Sequence, residues 1–214
     1  MVNSQSCNTV GGSILPPLPS DAMNSVKVLL ASNSPRRREL LGMVLRRFEI
    51  ARSKEVDETW PDGMAAAEVP VYLSKLKADA YKDDINDDEL IITADTVVID
   101  GGNILGKPRG RDEAIAMLRR LSGHTHTVVT GVSLTMSDRS ESFAESTEVT
   151  FCPLSEQEIE QYVDLYRPFD KAGAYGIQEW IGAIGISGIN GCYYNVMGLP
   201  LHALYMSLRR FFSN

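Results

Sequence analysis

The 214-residue chain predicts an α/β fold in which helices pack on a mixed sheet. Two observations set that expectation. The β-rich run Val26–Ser32 is followed at once by Ser34-Pro35, an N-cap and a proline at the first helical position, so a strand feeds directly into a helix. Further on, the alternating segments Thr125–Met136 and Ser142–Cys152 flank a polar turn at Asp138-Arg139 and read as antiparallel partners. Crossovers and hairpins in one chain call for strands running in both directions.

The elements follow in order. Val26–Ser32 is short and apolar, as a buried strand is, and the helix after it carries Leu40, Leu41, Val44 and Leu45. Val69, Leu73, Leu76 and Ala80 recur at helical spacing and mark a second helix. Leu90–Ile99 is a strongly apolar strand, and Asp100-Gly101-Gly102-Asn103 turns it back on itself. Ala114, Met117, Leu118 and Leu121 mark a third helix, and Ser155 with Glu158 forms a capping box that opens another. Gly173–Gly198 is glycine-rich, and Leu201, Leu204, Leu208 and Phe211 make a closing helix. Met1–Ala22 has no Lys or Arg, is rich in Ser, Asn, Gly and Pro, and reads as a disordered N-terminal extension before one domain over 23–214.

The formal charge of −7 argues against a nucleic-acid polymer as ligand, because phosphate neutralisation over a long surface needs massed Lys and Arg. A polyanionic ligand must then be held by a local basic cluster. Cys7, Cys152 and Cys192 lack the spacing of a disulfide framework or a zinc site, which favours a reducing, cytoplasmic setting. No apolar run approaches the roughly 18 residues of a membrane span, so no membrane association is expected.

Arg36, Arg37 and Arg38 form the basic cluster. They follow a strand, a tight polar turn and a helix N-terminus, where free backbone N–H groups and the positive dipole end converge. A solvated basic turn is the ordinary reading, yet three cations sit where the dipole repels them; a bound phosphate accounts for that placement. Asp95 is the second oddity. Alternation sets it on one strand face with Ile91, Thr93, Val97 and Ile99, where a carboxylate must be paired, hydrated at a cleft or bound to metal. Asp57-Glu58, taken alone, is an ordinary acidic loop. Lys77 borders the apolar stripe of its helix, and Lys107 follows the strand returning from Asp95. His124 and His126, two apart, could share a metal, although a structural histidine is the commoner case.

Taken together, the segments LASNSPRRRELL (Leu30–Leu41), VDE (Val56–Glu58), KA (Lys77-Ala78), TADTVV (Thr93–Val98), GKP (Gly106–Pro108), LSGHTHTVVTG (Leu121–Gly131), DKAGAYGIQ (Asp170–Gln178) and NGCYYNVMGLP (Asn190–Pro200) resemble the Maf, or septum-formation, family of nucleoside triphosphate pyrophosphatases. The likeness spans about Val26 to Phe212, and the motifs stand in family order. Ser74-Lys75-Leu76 departs from the small-basic-acidic run that precedes the family's lysine.

The resemblance implies an elongated, twisted mixed sheet flanked by helices, with a cleft between two lobes, akin to the inosine triphosphatase fold. It implies cleavage of a nucleoside triphosphate between the α and β phosphates with a divalent cation, Mg²⁺ or Mn²⁺. By motif, Arg36, Arg37, Lys77 and Lys107 would bind phosphate, Asp95 would accept the proton, and Glu58 with Asp95 would meet the metal. Arg36, Thr96 and Gln178 would set base choice and place the chain with the dTTP/UTP-type members. A glutamine amide both donates and accepts, which suits the acceptor–donor–acceptor edge of uracil or thymine, whereas an ionised glutamate could only accept. Homodimerisation is expected from the family alone. A non-hydrolytic nucleotide-binding regulator of septum formation is the alternative, and the carboxylates beside the cations argue against it.

Overall fold

The computed structural model describes residues 23 and 25–213; the expected extension Met1–Ala22 lies outside the described residues. β1 (Lys27–Leu30) runs parallel to β2 (Glu49–Ile50) and to β3 (Glu89–Asp100). The remaining pairings are antiparallel and bring in β4 (Asn103–Leu105), β5 (Thr125–Thr135), β6 (Ser140–Phe151) and β7 (Ile186–Asn190). The seven-stranded sheet has the order β2-β1-β3-β5-β6-β7, with β4 paired to β3. It is the mixed sheet that the crossover and hairpin signals predict.

One edge of β3 is interrupted. β5 accompanies β3 from Ile91 to Ile99 on one side. On the other side β1 pairs only with Glu89–Ile92, and β4 only with Val98–Asp100. Among the described residues, 93–97 therefore have no neighbouring strand on that edge. The chain leaves β1 there, with Ala31 N–H still donating to Ile92 C=O at 2.9 Å, and enters α1 (Pro35–Val44). Ser34 caps α1, its hydroxyl accepting from Arg37 N–H at 3.4 Å. The N-terminus of α1 is thus delivered to the break in the sheet.

Alternation along β3 and β5 sorts the core. Even-numbered positions face two apolar clusters: Leu90, Ile92, Ala94, Val132 and Leu134 in one, Val98 and Val128 in the other. The first is completed by Leu40 and Leu41 of α1 and by Leu204, Leu208 and Phe211 of α7 (Leu201–Phe211). The second is completed by Ala114, Ile115 and Leu118 of α3 (Arg111–Leu121) and by Ile159, Tyr162 and Val163 of α4 (Glu156–Tyr166). Between them lie Thr96 and Thr130, directly opposite in register. Odd-numbered positions face α2 (Val69–Asp79), where Val97 and Val129 pack on Val69 and Leu73, and Thr93 Oγ1 donates to Ser74 C=O at 2.7 Å.

Local signals match their elements. The Asp100–Asn103 turn has φ of 55° and 81° at Gly101 and Gly102, the left-handed pair that a tight hairpin needs. The Ser155–Glu158 capping box is present in full at the start of α4. In the glycine-rich stretch, where periodicity marks no element, the chain forms α5 (Trp180–Gly185), β7 and α6 (Tyr193–Met197). These are too short for helical or strand periodicity to emerge, and long-range pairing and packing decide them. No helix among the described residues is long and apolar enough to cross a membrane.

Candidate active site

The break in the sheet opens into a cavity of about 540 Å³. The eight residues that the family motifs assign to the site all line it: Arg36, Arg37, Glu58, Lys77, Asp95, Thr96, Lys107 and Gln178; Arg38, His124 and His126 do not. Asp95 and Thr96 are neighbours on one strand and point to opposite faces, yet both reach the cavity because it sits at the open edge between β1 and β4.

On the α2 face, Asp95 is 8% exposed and its Oδ1 accepts from Lys77 Nζ at 2.6 Å. The same ammonium lies 3.2 Å from Glu58 Oε1. Lys77 therefore bridges the two carboxylates, and the altered run before it does not displace it. The helix that carries Lys77 sits unusually close to the sheet. A Cβ on Gly131, which is opposite Asp95 in register, would lie 2.3 Å from the backbone of Pro70 and Val71.

On the other face, Arg37 turns back onto the sheet. Its Nε donates to Gly198 C=O at 2.8 Å and its Nη2 to Thr96 Oγ1 at 3.0 Å. Burial draws the Arg37 pKa down from its ordinary value, Asp95 opposes that shift, and Arg36 adds to it. Gly198 ends α6 at φ 115°, a conformation that L side chains rarely adopt. Arg36 points across the cavity mouth to Asp170, with Nη1 to Oδ2 at 2.7 Å. Lys107 is exposed and has no salt bridge among the described residues.

Two cations lining the cavity were not picked out from the sequence. Lys171, 8% exposed, sits 2.7 Å from Asp170 Oδ1 and 3.1 Å from Glu179 Oε1. Partial burial works to raise the Asp170 pKa, but Lys171 and Arg36 outweigh it and the net shift is downward. Lys171 stands inside the DKAGAYGIQ segment, so the signal was present. Lys54 donates to Ala80 C=O at 2.6 Å and pairs with Asp84, fastening the segment that bears Glu58 to the end of α2; nothing in its sequence surroundings marks it. Gln178 is exposed on the loop before α5.

His126 is structural. It is 2% exposed, its Nε2 lies 2.8 Å from the Tyr175 hydroxyl, and its Nδ1 has no hydrogen-bond partner among the described residues. His124 is exposed at the surface. Burial lowers the His126 pKa from 6.5 to about 4, only partly opposed by Asp100. The unfolded chain therefore takes up this proton at higher pH than the folded one. The stability contributed by neutral His126 is complete above the unfolded value and is lost as pH falls toward the folded value. At pH 5 the loss is about 2 kcal/mol. Denaturant titrations at pH 7 and pH 5 should show that loss in the wild-type chain and a smaller one in His126→Gln. Equal losses in both would assign the acid sensitivity elsewhere.

A helix N-terminus, several cations and two converging carboxylates surround one cavity, a set of groups suited to a small phosphorylated anion. The chain matches the Maf-like protein family over residues 27–211 and belongs to it. A relative from Phocaeicola vulgatus is 50% identical over 88% of this chain and 97% of its own length. One from Parabacteroides distasonis is 49% identical over 88% and 98%, and one from Porphyromonas gingivalis 50% identical over 89% and 97%. Each of the three is named dTTP/UTP pyrophosphatase. A solved nucleoside-triphosphatase (dITP/XTP pyrophosphatase) from Mycobacterium abscessus covers 87% of this chain and 98% of its own, at 13% identity and a TM-score of 0.45, a likeness too slight to carry an argument.

Proposed function

We propose that this chain is a nucleoside triphosphate pyrophosphatase that hydrolyses dTTP and UTP to the monophosphate and pyrophosphate. The observation that carries the reading is the Asp95–Lys77–Glu58 group, set at the break in the sheet beside the N-terminus of α1. The names of relatives near 50% identity support the same chemistry.

In this reading water attacks the α-phosphorus in line, Asp95 takes its proton, and the bond from the α-phosphorus to the bridging oxygen breaks. Pyrophosphate departs with that oxygen. Arg36, Arg37, Lys77 and Lys107 neutralise the triphosphate and the leaving group, and the N-terminal amides of α1 add donors. The donor set also suits a hard divalent cation. Asp95 and Glu58 already converge on one ammonium, and no cluster of three or more His, Cys, Asp or Glu is found among the described residues. Mg²⁺ or Mn²⁺ takes a few carboxylates and fills its remaining positions with phosphate oxygens and water. Glu58 and Asp95 would hold it, and when bound it supplies charge neutralisation at the phosphates. With those carboxylates so engaged, Lys77 would face phosphate.

Gln178, on the exposed loop, reads the base edge together with Arg36 and Thr96. A panel of nucleoside triphosphates with Mg²⁺ or Mn²⁺ tests both levels. Pyrophosphate and monophosphate should appear in equal amounts, fastest from dTTP and UTP; orthophosphate as the primary product would reject cleavage at the α-phosphorus. Gln178→Glu should lower pyrimidine turnover about tenfold while triphosphate binding changes less, since one base-edge hydrogen bond is mismatched. Unchanged selectivity would remove Gln178 from base reading.

A further inference from the structure

Two of the sequence segments, LSGHTHTVVTG and NGCYYNVMGLP, contribute residues whose work the mechanism does not use. Thr130 is the penultimate residue of the first and is fully buried; Asn195 lies in the second and is fully buried too. They meet Thr96 and Arg37 in one hydrogen-bonded row between the two apolar clusters. Thr130 Oγ1 donates to Asn195 C=O at 3.1 Å. Thr96 and Thr130 hydroxyls are 2.9 Å apart, and Arg37 Nη2 lies 3.0 Å from Thr96 Oγ1.

The direction of every bond in this row is determined. A threonine hydroxyl has one hydrogen and two lone pairs. Thr130 spends its hydrogen on the Asn195 carbonyl, which can only accept. Between the two threonines Thr96 must therefore be the donor. Its own hydrogen is then committed to Thr130, and a lone pair is left facing the guanidinium, which can only donate. Asn195 fixes the far end, its side-chain amide donating to Val128 C=O and to Thr147 Oγ1, each at 3.0 Å.

We propose that Thr130 is a positioning residue for the phosphate-binding arginine: it takes the Thr96 hydrogen, keeps the Thr96 lone pair on Arg37, and so aims the arginine's remaining N–H groups into the cavity. The inference rests on the reading of Arg37 as a phosphate ligand. Without Thr130 as acceptor, the Thr96 hydroxyl is free to turn its hydrogen toward the guanidinium, setting donor against donor. The Gly198 carbonyl then holds Arg37 alone, through Nε, and the guanidinium can pivot about that bond.

The test uses the purified chain with dTTP and a divalent metal. Thr130→Val keeps the shape and removes the hydroxyl, and KM should rise about tenfold with kcat within about twofold, the effect of one charge-assisted hydrogen bond on ground-state binding. Thr130→Ser restores the hydroxyl and should return KM to within about twofold of wild type. Thr96→Val removes the same link, so the T96V/T130V double variant should bind no more weakly than T96V alone. Should T130V fail to fold, T130A reads the same loss without the extra methyl. A wild-type KM in the folded T130V or T130A chain overturns the proposal, as does a double variant whose defects multiply. Arg37→Ala separates the two readings. If it leaves KM unchanged, the phosphate role of Arg37 fails; if it raises KM while T130V does not, only the positioning role of Thr130 fails.

Discussion

Asp95→Asn should lower turnover of dTTP by about three orders of magnitude while the chain stays folded and keeps its nucleotide site, because a general base contributes on that scale. Asn is nearly isosteric with Asp and can still accept from Lys77, and Lys77 retains Glu58 at 3.2 Å. Weakening this largely buried pair should cost about 2–3 kcal/mol, short of the full penalty because Lys77 keeps Glu58, and lower Tm by roughly 4–12 °C in a chain of this size. The paired measurements are single-turnover pyrophosphate release and a thermal melt. Turnover at the wild-type rate would exclude Asp95 as the proton acceptor. A collapsed melt would instead show that the Asp95–Lys77 pair is needed for folding, and a binding assay with dTTP on the folded fraction would then decide the catalytic role.

Gly131→Ala should be the most damaging single methyl in the chain's central sheet. The position has no unusual φ, so the requirement is steric: the added carbon would sit 2.3 Å from three backbone atoms of Pro70 and Val71, and backbone cannot swing aside as a side chain can. α2 must retreat from the sheet, and overpacking of this kind costs about 3 kcal/mol, or roughly 6–12 °C in Tm. The retreat also moves Lys77, which rides on α2 and reaches Asp95 at 2.6 Å. A displacement near 1 Å at such a contact can cost about 100-fold in rate. Gly42→Ala is the matching control. Its added carbon meets only Phe48, at 4.0 Å, and inside α1 the change should stabilise by about 0.5–1 kcal/mol. Equal melts for G131A and wild type would mean that α2 is not held by this contact.

How far the sequence exposes the site differs from residue to residue, for physical reasons. Arg36 and Arg37 are legible because Ser34-Pro35 announces a helix start, and a helix start fixes where its first side chains stand. Asp95 is legible because a carboxylate in an apolar alternating run needs a partner. Lys77 as that partner is not: the helix stripe gives its face but not the strand it meets. Glu58 has no local signal, since it stands on an irregular segment held by Lys54 and by the Asn33–Ser53 hydrogen bond at 3.1 Å. Thr130 is hidden altogether, because a threonine in a strand is ordinary until register sets it opposite Thr96. The fold follows the same rule. Long periodic elements are read directly, while α5, β7 and α6 take their shape from contacts distant in sequence.

The interrupted edge of β3 has a mechanical consequence. Both apolar clusters hang from the same face of one uninterrupted ladder, nine residue pairs of β3 and β5 from Ile91 to Ile99. A hinge needs a few residues free to absorb large φ/ψ changes, and a strand paired without a break from Ile91 to Ile99, across the whole opening, offers none there. The two halves of the cleft cannot part like jaws without tearing that ladder, and elastic twist is the motion left to them. Ligand entry and product exit then fall to the rim, where the Arg36–Asp170 ion pair, the exposed Lys107 and the exposed Gln178 stand. The ladder makes the floor of the cleft a stiff frame, and access is a matter of the side chains around its rim.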